Sequence, residues 1–211
     1  MAKMELQQIR NIIGREEFDH VSLASALASY SAVDQKINEM LKSGQILRVK
    51  KGLYVFGPQI RQTIICRETL ANLIYGPSYI SMEYALAYYG LIPERVETVT
   101  SVTSKREKKF DTPLGTFTYQ YLNPRKYPHE IEQRWIDQSH PILIASPEKA
   151  LFDYVTINEV PTFANAKAGV NFLREDLRMD DEAIARLDIK KMIRINSYYR
   201  SQNMTRIMEG L

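Results

Sequence analysis

Four polar residues, Ser31, Gln35, Asn38 and Lys42, recur at spacings that a helix turning about 100° per residue gathers within about 60° of one another. The intervening apolar residues Val33, Ile37, Met40 and Leu41 fall together on the opposite side, so the segment reads as an amphipathic helix with an amide-bearing outer face. Gln and Asn amides donate and accept at once, which suits the paired donor and acceptor on an adenine edge in the major groove, and Lys42 would reach phosphate. A few residues later Lys50-Lys51-Gly52 sits between two strand-like runs, Ile46–Val49 and Leu53–Phe56, and predicts a β-hairpin with a basic tip. Lys36 and Arg48 add charge to the same region. From Lys36 to Arg61 six basic residues face one acidic residue, a local balance of +5.

An amphipathic helix presents a polar face to solvent without any further function, so the order of the neighbouring elements matters. Leu6, Ile9 and Ile13 predict a first helix from Met4 to Ile13, ended by Gly14. Ser22 is the expected N-cap of a short helix carrying Leu23, Ala24 and Leu27. Ala-Ser-Tyr-Ser makes a tight turn, and Ser31 is the expected cap of the third helix, with Asp34 in its first turn. Helix, short helix, turn, helix and basic hairpin in that order predict a winged helix-turn-helix over residues 1–58 that binds double-stranded DNA through Ser31, Gln35, Lys36, Asn38, Lys42, Arg48, Lys50 and Lys51. Six acidic residues stand against eight basic ones up to Pro58, so a winged helix used for protein contacts is the competing expectation.

Residues 59–211 are expected to form a larger mixed α+β domain. Thr63–Tyr75 reads as a helix containing Cys66, and Ser81 as the cap of another that closes at Gly90. Val96–Thr103, Thr116–Leu122 and Ile142–Ala145 read as three strands. Ser146-Pro147-Glu148 is a strong helix start, and the pattern from Phe163 onward is helical. Lys105–Lys109 is expected to be a solvated loop, with an extension of the DNA contact as its alternative. The basic C-terminal residues Lys190, Lys191, Arg194, Arg200 and Arg206 read as exposed faces of a bundle or a partner surface.

The chain of 211 residues carries a net charge of +3, too small to mark a nucleic-acid binder by itself. Its apolar runs of about five residues fall far short of the roughly 20 that a membrane helix needs. A single cysteine and no apolar leader fit a cytoplasmic protein. His20, His129 and His140 lack metal-ligand spacing, and no glycine-rich phosphate loop or nucleophile elbow occurs. No catalytic residue, cofactor or metal is therefore expected, and a nucleic-acid-processing enzyme would need an unfamiliar site.

The predicted winged helix is followed by Tyr79-Ile-Ser-Met-Glu-Tyr-Ala-Leu-Ala-Tyr-Tyr-Gly-Leu-Ile-Pro93, Thr98-Val-Thr-Ser101, Thr112-Pro-Leu-Gly-Thr-Phe117 and Ala145-Ser-Pro-Glu-Lys-Ala-Leu-Phe-Asp153. In these motifs and their order the chain resembles the AbiEi-type antitoxins of type IV toxin-antitoxin systems. The resemblance implies an antitoxin that represses its own operon at promoter inverted repeats and counteracts a nucleotidyltransferase-like toxin without a stable complex. The Gly-Ser and Asp-x-Asp pair of such transferases is missing here. A stand-alone transcriptional regulator with a ligand-binding or oligomerisation domain is the alternative.

Overall fold

The computed structural model describes residues 6–211, and the expected helix start at Met4 lies outside them. Apolar residues in the N-terminal part form one buried cluster, and those of the remainder form a second, larger one. The first cluster is built by α1 (Leu6–Ile13), β1 (Glu17–Asp19), α2 (His20–Ala26), α3 (Val33–Lys42), β2 (Ile46–Lys50) and β3 (Leu53–Phe56). Ile37 and Met40 of α3 are buried there with Ile9, Phe18, Leu23 and Leu27, as the apolar stripe of α3 requires.

Two expected caps are replaced. α2 begins at His20, and its cap is Asp19, whose carboxylate accepts the Ser22 amide at 2.7 Å; Ser22 lies inside the helix. Asp19 ends β1, so it has the extended backbone a cap needs. α3 begins at Val33 behind Ala32, without a side-chain cap from Ser31, and Asp34 in its first turn faces His20 at 3.7 Å. The chain leaves α3 through Gly44, in the left-handed region at φ 71°.

β1, β3 and β2 form a small antiparallel sheet with β3 in the centre. All four residues of β3 are buried, because the strand divides its side chains between the two cores: Tyr54 and Phe56 enter the first, Leu53 and Val55 the second. The packing boundary thus runs through the hairpin itself. Gly57 follows where a Cβ would lie 1.9 Å from the Gly44 carbonyl oxygen, so only glycine lets the chain leave β3 beside the end of α3.

The larger part is mixed α+β with a helical C-terminus. After α4 (Arg67–Ile74), capped by buried Cys66 rather than starting near Thr63, comes a six-stranded mixed sheet. It comprises β4 (Tyr79–Ile80), β5 (Val99–Thr103), β6 (Lys108–Thr112), β7 (Gly115–Tyr121), β8 (Ile131–Trp135) and β9 (Pro141–Ala145) in the order β6-β7-β5-β4-β9-β8. β5, β7 and β9 are the three expected strands. Lys108 and Lys109 belong to the edge strand β6, so only the start of the expected 105–109 loop is a loop.

α5 (Met82–Tyr88) and α6 (Pro147–Ile157) pack on the sheet, and Ser146 caps α6 as expected. α7 (Ala166–Asn171) continues into a π-helical turn (Phe172–Asp176), followed by α8 (Asp181–Ala185), α9 (Ile189–Tyr199) and α10 (Gln202–Gly210). No helix among the described residues is long and apolar enough to cross a membrane.

One turn of α6 places Lys149 and Asp153 inward, and both are completely buried. Asp153 accepts from Tyr79 Oη at 2.9 Å, Ser81 Oγ at 2.7 Å and Tyr199 Oη; Lys149 Nζ donates to Tyr199 Oη at 2.8 Å and the Lys126 carbonyl at 3.1 Å. Ser81 stands at the N-cap position of α5, but its hydroxyl is committed to Asp153 instead of an amide. Burial pushes the Lys149 ammonium down, and Asp153, 3.6 Å away, pulls it back up. The cluster ties β4, α6 and α9 together. Lys149→Met should strand the Asp153 charge in the interior. The expected cost is about 3 kcal/mol, a fall in Tm of roughly 6–12 °C; an unchanged thermal melt would show the ammonium to be dispensable.

Candidate nucleic-acid interface

α3 presents Gln35, Asn38 and Lys42 to solvent, with Ser31 exposed just before it. Gln35 Nε2 donates weakly to Glu39 Oε1 at 3.4 Å, and Lys36 approaches Glu39 at 3.7 Å while its ammonium stands 5.6 Å from the centre of the Tyr30 ring. Glu39 thus draws one member of the polar row and the half-buried Lys36 toward itself. Asn38 and Lys42 have no partner among the described residues. Arg48 is exposed on β2 with its guanidinium 6.0 Å from the Tyr54 ring centre, and Lys51 is exposed at the hairpin turn beside Gly52, whose φ is 82°.

Lys50 departs from the expected arrangement. The sequence pairs it with Lys51 at a basic tip, yet it is half-buried and donates to the Ile74 carbonyl at the end of α4. The cause is an irregularity in the ladder: Arg48 pairs with Tyr54 while Lys50 pairs with Leu53, so Val49 is an extra residue on β2. A regular alternation would put Lys50 on the side of Arg48. The bulge turns it to the side of Leu53, toward the second core, where Val49 is also buried. Burial lowers the Lys50 ammonium's pKa, and the nearby positive charge of Lys108 lowers it further.

The hairpin turn also meets the helices. The Gly52 carbonyl accepts the His20 amide at 3.0 Å, and His20 in turn faces Asp34 at the start of α3. The start of α3, the start of α2 and the turn are therefore neighbours. Behind them, Glu16 and Glu17 reach the segment that leaves the hairpin. Glu16 Oε1 accepts the amides of Gln62 and Thr63 at 3.0 and 3.1 Å and the Arg10 guanidinium at 2.6 Å, and Glu17 Oε1 accepts the Cys66 amide at 3.2 Å. His140 stands between Glu17 at 3.8 Å and Asp137 at 2.7 Å. Neither glutamate was singled out in the sequence, where both look like surface charges.

The charges of the C-terminal helices are largely neutralised. Lys191 pairs with Glu148 at 3.2 Å, Arg194 with Glu130 at 2.8 Å and Arg206 with Glu209 at 2.8 Å; Lys190 and Arg200 are exposed. Tyr198 is exposed and stacked on His129, whereas Tyr199 belongs to the buried Lys149–Asp153 cluster.

No family model and no curated protein matches this chain. The crystal structure of the RV2827C protein from Mycobacterium tuberculosis is similar, with a TM-score of 0.56 over 90% of this chain and 70% of that one, at 14% identity. The likeness is one of fold.

Burial raises the Glu17 carboxyl above its usual range, and the charge of His140 opposes the rise. A carboxyl raised on folding favours the folded state at low pH and loses that contribution as pH climbs through the raised value. Glu17→Gln keeps an oxygen for the Cys66 amide and removes the buried charge. It should be more stable than the wild type at neutral pH, with the difference shrinking in acid. Chemical denaturation at several pH values would reveal a wrong sign if the variant is less stable throughout.

Proposed function

We propose that the chain is a DNA-binding antitoxin of a type IV toxin-antitoxin system, which represses its own operon and counteracts a nucleotidyltransferase-like toxin. In this reading residues 1–58 act as a winged helix-turn-helix: α2 and α3 form the helix pair, α3 enters the major groove, and the β2–β3 hairpin serves as the wing. The observation that carries it is the outer face of α3, where Asn38 and Lys42 stand free beside Gln35 on a helix whose opposite face is fixed in a core. A rigid backing lets such amides address base edges at little further entropic cost. Arg48 and Lys51 supply phosphate contacts from the hairpin, Ser31 stands just before α3, and Lys36 lies in α3 beside the polar row. Lys50, engaged with the end of α4, contributes field rather than a direct contact. The toxin-facing half of the reading rests on the motifs between Tyr79 and Asp153, which follow the antitoxin order, and it places that role in residues 59–211.

A second reading, a stand-alone regulator governed by a small ligand, draws on one feature. A cleft of about 630 Å³ opens where the two cores meet, lined by Arg10, Glu16, Glu17, Asn72 and His140 among others. Co-expression with the adjacent gene separates the two readings: relief of a growth arrest favours the antitoxin, and no effect on growth favours the regulator.

Gel shift against the DNA upstream of the gene tests the interface. Gln35→Ala should cost about 1–3 kcal/mol and relax preference at one base pair, and Lys51→Ala should reduce the salt slope by about one unit at unchanged preference. Wild-type affinity and slope in both variants would remove α3 and the hairpin turn from the interface.

A further inference from the structure

Three ammonium groups from separate segments converge on the C-terminal end of α4. Lys50 of the hairpin donates to the Ile74 carbonyl, Lys105 donates to the Gly76 carbonyl at 2.7 Å, and Lys108 of β6 stands 4.8 Å from the centre of the Tyr75 ring, which Lys105 also approaches at 5.6 Å. A helix C-terminus attracts cations, and two of the lysines satisfy carbonyls there. That accounts for Lys50 and Lys105 but leaves Lys108 and the exposed Arg106 without a carboxylate or carbonyl partner among the described residues. The contrast with α9 and α10 is direct, since Lys191, Arg194 and Arg206 are paired with glutamates. Lys105, Arg106 and Lys108 border an open depression of about 680 Å³ with Tyr75 and the half-exposed Tyr121.

A series of neighbouring residues connects this basic patch to the proposed interface. Asp34 in the first turn of α3 faces His20, the His20 amide contacts the Gly52 turn, the turn carries Lys51, and Lys50 lies near Lys108. We infer that Arg106 and Lys108, with Lys105 behind them, hold the phosphate backbone of duplex DNA beyond the stretch that α3 reads. The inference rests on the DNA-binding reading above and extends it to the second core. Two sets of cations on parts joined through β3 would engage phosphates on successive parts of the duplex, adding affinity and salt dependence without base preference.

The test uses the full chain and a random-sequence duplex of about 30 base pairs, long enough to span both sets at 3.4 Å per step. Arg106→Gln with Lys108→Gln removes two charges that no carbonyl depends on, so the fold should be retained, as a thermal melt equal to wild type would verify. The plot of log affinity against log salt should flatten by about two units, so that between about 50 and 200 mM salt the wild type loses roughly tenfold more affinity than the variant. Arg106→Lys with Lys108→Arg should restore the wild-type slope. If Gln35→Ala with Lys42→Ala weakens binding to the upstream DNA while the Arg106/Lys108 variant keeps the wild-type slope, the extension fails and the DNA-binding reading survives. If the wild type does not bind duplex at all, both fail. Tighter binding of a single-stranded RNA of equal length, with the same loss in the variant, would overturn the choice of duplex.

Discussion

β3 is the strand on which the rest of the molecule depends, because it is buried on both faces. Tyr54 and Phe56 complete one core while Leu53 and Val55 complete the other. An isolated hairpin is marginal in water, so this one is held by the two cores it joins rather than by its own ladder. The same arrangement removes freedom between the cores. Glu16 and Glu17, just before and within β1, hold the amides of Gln62, Thr63 and Cys66, so the segment leaving the hairpin is fixed at several points along its length. The direction in which α3 faces is thereby set relative to the six-stranded sheet, which a flexible linker would not do.

A comparable constraint operates in the second core at Lys149 and Asp153. Two buried charges are costly unless their hydrogen-bonding capacity is filled. Here Tyr79, Ser81 and Tyr199 supply hydroxyls to the carboxylate, and Lys126 supplies a carbonyl to the ammonium. These partners come from a strand, a loop and helices far apart in sequence, so the cluster works as a registry device: α6 and α9 can satisfy it in one relative position.

Much of this was legible in the residues, for reasons that differ by element. The stripe Val33, Ile37, Met40 and Leu41 points α3 inward because helical periodicity is local, and the β-branched run at Val99–Thr103 betrays a buried strand in the same way. β1 and β4 are three and two residues long and exist only through their partners, so no periodicity could announce them. Nothing in the sequence singles out Glu17, Lys149 and Asp153, because charge usually is exposed. Their burial depends on an amide, a histidine and tyrosines supplied by distant parts of the chain. Lys50 fails for a related reason: the hairpin is visible in the sequence, but the bulge at Val49 is fixed by how β2 pairs with β3 and by the apolar surface waiting behind it.

That bulge has a consequence for how charge is distributed. Without it, Lys50 would share a face with Arg48, and the hairpin would carry its cations on one side as a self-contained tip. With it, the hairpin divides them: Arg48 and Lys51 stay with the first core, and Lys50 joins the cations around α4 and β6. Placing Lys50 there costs partial desolvation and, to a lesser extent, repulsion from Lys108, and both lower its affinity for a proton. The Ile74 carbonyl and the C-terminal end of the α4 dipole offset part of that cost. Desolvation, the larger part of that cost, stays with Lys50 wherever its ammonium is held among protein atoms, so the placement is explained by the tie it makes between the hairpin and the end of α4.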